Sequence, residues 1–224
     1  APAMRYSSWL FVSVLSVALA TTAELAEEAK AETDIAQTQT TISPIFSQLV
    51  MFSMPGNFLA VAENVTEDRY IREAVIKGET VEAWSQMITV TGAKGLAAGE
   101  SATPQAFVES IAAGFQNACP ETFNFKPIGA STISEYDSYA AIAGCGAVTS
   151  AGGGHGESAL IIAIKGDADM YTIQWAERAA AATEKPSFDA DTWSERQEQL
   201  NPIRLCAIVD GEAAPYPSCL NAVE

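Results

Sequence analysis

The stretch SALIIAIKGDADMYTIQWA, residues 158–176, contains two strand-like runs joined by the polar connection GDAD. The first run is rich in isoleucine and alanine. The second alternates in polarity, which places three large apolar side chains on one side: Tyr171, Ile173 and Trp175. Such alternation is typical of a β-strand with one buried face. A short polar connection between two such runs predicts an antiparallel hairpin.

Further strand-like runs lie on both sides of this hairpin. They are bounded by turn residues, such as the Pro55-Gly56-Asn57 sequence, and we place them at residues 48–53, 58–63, 70–77, 122–128, 138–149 and 203–209.

A first helix is predicted to begin after Thr80 and to be closed by Gly92 and Gly95. Thr80 is a suitable N-cap, and three apolar side chains follow at helical spacing: Val81, Trp84 and Ile88. Trp84 and Trp193 lie on predicted amphipathic helices and Trp175 on a strand face, where a core role is expected. The alternative is that the three rings form an aromatic binding platform.

Two more helices have clearer start signals. Thr103 caps one of them, with Pro104 at its first position, and Asp189 or Asp191 caps the other. The order of elements predicts an α+β domain with a mostly antiparallel sheet flanked by helices.

Three segments together resemble a known group of proteins: FSMPGNF at 52–58, KGETVEAWSQMI at 77–88 and IIAIKGDADMYTIQWAER at 161–178. Their layout is similar to small exported bacterial proteins with the PsbP/Mog1-like fold, an α/β/α sandwich. The resemblance covers residues 46–210 and implies a binding or assembly module. Because proteins of this fold share no common catalytic residue set, it implies no particular site residue.

The N-terminal segment has the pattern of an export signal. A short positive start at Met4-Arg5 precedes the apolar run Trp9–Leu19, and Ala18-Leu19-Ala20 offers a small-x-small cleavage site. The alternative is an uncleaved membrane anchor, but the run is short for a membrane span. We therefore predict a signal peptide over 1–23, a flexible linker over 24–44, and a single α+β domain over 45–224. The mature protein is expected in the periplasm or outside the cell.

The charge balance restricts the possible partners. The 224 residues include 12 Lys and Arg against 28 Asp and Glu, a net charge of -16 with a pI near 4.3. Nucleic acid requires a basic surface, so we expect no nucleic-acid partner, and we expect no membrane insertion after signal cleavage. The negative charge would attract cations or basic partners.

The four cysteines predict two disulfides, as expected after an export signal. Three pairings are possible, and we favour Cys119 with Cys145 and Cys206 with Cys219 because each closes a local loop. A metal site is the alternative, but the chain has no C-x-x-C sequence and one histidine. We predict no metal and no cofactor.

The single histidine, His155, lies in a glycine-rich sequence, with Gly152–Gly156 ahead of Ser158. A histidine close to a serine suggests a hydrolase, but the G-x-S-x-G motif is absent. The competing interpretation is a flexible hairpin loop with an incidental histidine. Acidic residues two apart, such as Asp167 and Asp169, suggest calcium binding or, more simply, solvated turns.

The leading hypothesis is an exported, acidic, disulfide-stapled binding or assembly module without catalytic activity. Its partner is an unknown protein or small molecule. The alternative is a small secreted hydrolase that uses His155 and Ser158. A calcium-binding envelope protein is a third possibility.

Overall fold

A seven-stranded antiparallel sheet forms the centre of the fold and contains the predicted hairpin. The computed structural model describes Glu27, residues 37–148 and residues 154–222. In spatial order the strands are β3 (Phe58–Val65), β4 (Arg69–Ile76), β5 (Gln86–Ala93), β9 (Met170–Ala180), β8 (His155–Lys165), β7 (Tyr136–Val148) and β6 (Phe123–Ile133). The β8–β9 hairpin is confirmed: the two strands pair in register along their whole length.

A smaller sheet packs against one face of the large one. Its strands lie in the order β1 (Thr38–Ile45), β2 (Gln48–Pro55) and β10 (Arg204–Ala207). The predicted linker over 24–44 is therefore wrong for residues 38–44, which form most of β1. Its threonine-rich sequence is polar because one side of β1 is exposed, yet threonine is β-branched and favours strands.

The main core fills the space between the two sheets. It joins Val50 and Phe52 of β2 to Leu160, Tyr171 and Trp175 of the large sheet. Helix α2 (Ala190–Leu200) closes the same side and buries Trp193 and Leu200.

A second core lies on the opposite face of the large sheet, under helix α1 (Pro104–Ala118). Val108 and Ala112 of α1 pack on small and aliphatic side chains of β7 and β8, including Ala141, Ala159 and Ile161. The layers are thus α1, the large sheet, and the small sheet with α2. The α+β prediction of a mostly antiparallel sheet flanked by helices is confirmed.

The caps of α1 and α2 are confirmed, and the helix predicted between Thr80 and Gly92 is wrong. The Thr103 hydroxyl accepts from the Ala106 N–H at 3.1 Å, and Asp189 Oδ1 accepts from the Thr192 N–H at 2.8 Å. Thr80 closes only a turn, because the Ala83 N–H donates to its hydroxyl at 3.2 Å. The β-branched sequence that follows forms strand β5, which pairs with β4 and β9.

Both favoured disulfides are present. Cys119 and Cys145 join the end of α1 to β7, and Cys206 and Cys219 join β10 to the short helix α3 (Pro217–Leu220). These bonds fit a protein of an oxidising compartment.

Other sequence predictions fall outside the described residues. They are the signal peptide over 1–23, nearly all of the linker up to residue 36, and Gly152 and Gly153 of the glycine-rich stretch. In the described part of the chain, no helix has the length and apolar character that crossing a membrane requires.

Candidate functional site

Helix α1 covers only half of its face of the large sheet. It packs on the β6–β8 half, where alanines allow close approach, and no helix of the described chain covers the β4, β5 and β9 half. The uncovered half forms a groove of about 370 Å³, bounded on one side by Phe115 of α1. We call this space the sheet-face groove.

The floor of the sheet-face groove carries a polar row that crosses three strands. Glu73 of β4 pairs with Thr89 of β5, and Thr89 pairs with Gln174 of β9. Directly paired residues of antiparallel strands point to the same face about 5 Å apart, so these three side chains stand side by side. All three are half-buried.

A second polar row lies next to the first. Thr91 pairs with Thr172, and their hydroxyl groups share a hydrogen bond. The Gln174 Nε2 group donates to the Thr172 hydroxyl at 3.3 Å. Because its amide nitrogen is used in this way, Gln174 presents its amide oxygen as a remaining acceptor.

One wall of the groove is a stack of alternating charge and ring. The Arg178 guanidinium carbon lies 3.9 Å from the centre of the Trp84 ring, and Arg178 Nε lies 3.8 Å from Glu157 Oε2. Glu157 and Arg178 are direct partners in the β8–β9 register. The stack therefore fixes the loop before β5 against the central strands.

The groove has an excess of negative charge. Two carboxylates line it, those of Glu73 and Glu157, against one cation, Arg178. Arg178 is paired with Glu157. Glu73 has no ion pair or side-chain hydrogen bond with another residue of the described chain, so its charge is not neutralised.

His155 and Ser158 are not brought together. His155 is the first residue of β8 and not part of a hairpin loop, and its Nε2 lies 3.2 Å from Glu157 Oε2. Since β8 pairs with β9 without a bulge, His155 and Ser158 are three residues apart on opposite faces of the sheet. The histidine is thus not placed to take a proton from the Ser158 hydroxyl.

Ser158 instead faces a cavity of about 480 Å³ on the other side of the sheet. Glu177, Asp189 and Trp193 line the same cavity. Glu177 is paired there with Arg196 of α2, at 2.6 Å between Arg196 Nε and Glu177 Oε1. This charge pair joins α2 to the sheet.

Asp169 has a structural environment. Its side chain is buried, and its carboxylate accepts from the Ser47 N–H at 3.1 Å, the Ser47 hydroxyl at 2.5 Å, the Gly95 N–H at 2.7 Å and the Tyr171 hydroxyl at 3.3 Å. Burial alone raises the pKa of Asp169, but these hydrogen bonds outweigh it and lower the pKa. Asp169 therefore connects the β1–β2 turn to the β8–β9 hairpin. Within the described ranges, no three His, Cys, Asp or Glu side chains are grouped to hold a metal ion.

A further cavity of about 1110 Å³ lies between the β6–β7 turn and β10. Some of its polar groups have partners in the fold, but Arg204 Nε is buried without a hydrogen-bond partner in the described chain. Arg204 Nη1 donates to the carbonyl oxygens of Cys219 and Leu220 at 3.2 and 3.1 Å, and Ser134 accepts from the Leu205 N–H.

The groove residues were not predicted as a site from the sequence. Trp175 and Trp193 are core residues as predicted, but Trp84 is half-buried at the groove. The signal was present in the alternation of the strands, which turns Thr89, Thr172 and Gln174 away from the apolar side. That alternation does not show which part of this face helix α1 covers.

No protein-family model matches the sequence, and no curated protein matches it. Among solved structures, the Ran-binding protein Mog1p of Saccharomyces cerevisiae is similar at 11% identity and a TM-score of 0.43, over 73% of this chain and 93% of that one. PsbP of the cyanobacterium Synechocystis sp. PCC 6803 is similar at 9% identity and a TM-score of 0.41, over 73% and 87%. A Bacteroides thetaiotaomicron protein matches at 10% identity and a TM-score of 0.40 over 78% of this chain, which spans only 50% of that protein. The weak resemblance to the PsbP/Mog1-like fold is confirmed, and it assigns no activity and no residue role.

Proposed function

We propose that this protein is an exported, non-catalytic binding module that holds a protein partner in the sheet-face groove. The observation that carries the proposal is the half-covered sheet, because α1 leaves β4, β5 and β9 with half-buried polar and apolar side chains in a groove. Its side chains are partly shielded from water, unlike those of a core or of an exposed surface. Pockets of comparable volume bind ligand groups in other proteins.

A macromolecular partner suits the surroundings of the groove. The adjacent edge strand β3 exposes apolar side chains, with Leu59 at 54% and Val61 at 40% exposure. Unpaired strand edges can pair with a further chain. The net charge of -16 favours a partner with a basic surface.

The proposed location is the periplasm or the extracellular space. Two disulfides support an oxidising compartment, and the N-terminal pattern supports export. The separation of His155 from Ser158 supports binding over hydrolysis, because the only histidine has no nucleophilic serine on its side of β8.

Partner capture with a filled groove tests the proposal. The exported, oxidised protein is immobilised, captured partners are identified, and each is purified to measure its affinity. Thr89→Trp fills the floor of the groove, and Thr132→Trp places the same ring on β6 at the far edge of the sheet. We expect Thr89→Trp to abolish binding and Thr132→Trp to preserve it. Equal binding by both folded variants would overturn the proposal.

A further inference from the structure

We propose that the sheet-face groove recognises a lysine or arginine side chain on an extended segment of the partner, with Glu73 as its counter-charge. This inference rests on the proposed function and names the chemistry of the segment. Its basis is one half-buried carboxylate without a cation, set in a row of hydrogen-bond acceptors.

The arginines closest to Glu73 along the sheet do not neutralise it. Arg72, its neighbour on β4, points to the opposite face and donates to Ser43 Oγ at 2.6 Å. Arg178 lies four residues along β9 from Gln174, the residue of β9 in the row of Glu73. Four residues of a strand span about 13 Å. Arg69 is at the same distance in sequence on β4, again about 13 Å away, and is exposed.

The polar row supplies three acceptors for one cationic group. Beside the Glu73 carboxylate stand the Thr89 hydroxyl and the free amide oxygen of Gln174. An ammonium group has three donors and a guanidinium has five, so either can donate to the Glu73 carboxylate and to a neighbouring acceptor of the row. An anion would meet the Glu73 charge and is excluded by repulsion.

Apolar groups nearby suit the aliphatic stem of such a side chain. Ile71, Met87, Trp84 and Phe115 line the same groove. Lysine and arginine bury their methylene stems on apolar surface while the charged end finds polar partners. The net charge of -16 draws a basic segment toward the surface from a distance.

A peptide library displayed on phage and selected against the exported, oxidised protein tests the inference. We expect selected peptides to share a lysine or arginine. Replacing it with norleucine should weaken the Kd about tenfold or more, the range of a charge-assisted hydrogen bond to a carboxylate. Glu73→Gln should weaken the original peptide by a similar factor and leave the norleucine peptide unchanged. Glu198→Gln, an equal charge change on exposed α2, should alter binding by no more than about twofold.

The other outcomes separate the two proposals. If Thr89→Trp abolishes binding but Glu73→Gln leaves it intact, recognition of a basic side chain is refuted, and binding in the sheet-face groove is retained. Binding that neither variant affects, or a selection without any binder, would count against the proposed function itself. If N-acetyl-lysine amide bound as tightly as the peptides, the ligand would be a small amine and the protein segment would be the wrong source.

Discussion

Arg178 lies with its guanidinium carbon 3.9 Å from the centre of the Trp84 ring, and this contact joins a loop to the central strand of the large sheet. Arg178 also pairs with Glu157 on the neighbouring strand, so ring, cation and carboxylate form one continuous wall. The wall defines one side of the sheet-face groove. Its contribution to the free energy of unfolding can be measured without a ligand.

Trp84→Leu should lower the free energy of unfolding by about 1 kcal/mol, since it removes the cation–π contact but keeps an apolar side chain. Arg178→Leu should cost a similar amount, and the double variant should cost less than the sum because both changes remove the same contact. Urea unfolding of the four proteins measures this. Fully additive losses would show that the two side chains do not stabilise each other.

Asp169→Asn should lower the free energy of unfolding by about 2–4 kcal/mol at pH 7, because the amide cannot accept from all the donors around Asp169. Asp210→Asn, a change at an exposed residue, is the matched control. Urea unfolding of each variant measures the difference. A loss no larger than that of the control would contradict the structural role of Asp169.

The same carboxylate should make the protein sensitive to acid. Its pKa is lower in the folded state than in the unfolded state, where it is about 4. Its stabilising contribution is therefore complete above the unfolded pKa and is lost as the pH falls through the folded pKa. Stability measured from pH 7 to pH 3 should therefore fall more steeply in the wild type than in Asp169→Asn. Parallel curves for the two proteins would refute this assignment.

Gly146→Ala should destabilise the protein by about 1–3 kcal/mol. A Cβ at this position would overlap the carbonyl oxygen of Glu184, and the neighbouring Ala182 oxygen lies 2.9 Å away. Gly114→Ala provides the control, because Gly114 is exposed on α1 and nothing lies within 4 Å of its added Cβ. Alanine there should raise the free energy of unfolding by about 0.5–1 kcal/mol. Thermal melts of both variants give the answer, and a stabilised Gly146→Ala would mean that the strand–loop contact is not as close as described.

Ester, peptide and glycoside substrates should be hydrolysed no faster by the exported protein than by a buffer blank. The physical reason is the placement of His155 and Ser158 on opposite faces of β8. The screen is run beside His155→Ala. Activity in the wild type that disappears in the folded variant would restore the hydrolase hypothesis.

Local signals in the sequence predicted much of the fold. The β8–β9 hairpin follows from alternation around a short turn, and the caps at Thr103 and Asp189 follow from side chains that bond their own helix starts. The disulfide partners were also favoured by short separations of 26 and 13 residues.

Longer-range features were not predictable in this way. Strand β5 was taken for a helix because Val81, Trp84 and Ile88 have helical spacing, whereas its pairing with β9 joins residues 77 to 91 positions apart. The groove depends on the same long-range pairing, since the row of Glu73, Thr89 and Gln174 draws one residue from each of three strands. Nor does the sequence show which half of the sheet α1 covers.

Chemical-shift mapping of a selected lysine-bearing peptide on the ¹⁵N-labelled, oxidised protein tests whether a basic segment binds in the sheet-face groove. We expect the largest changes at the Thr89 and Gln174 amides and at the Trp84 indole N–H, with little change on α2. The largest changes at Ser134 and Arg204, beside the cavity at the β6–β7 turn, would contradict it and move the binding site to the other end of the molecule.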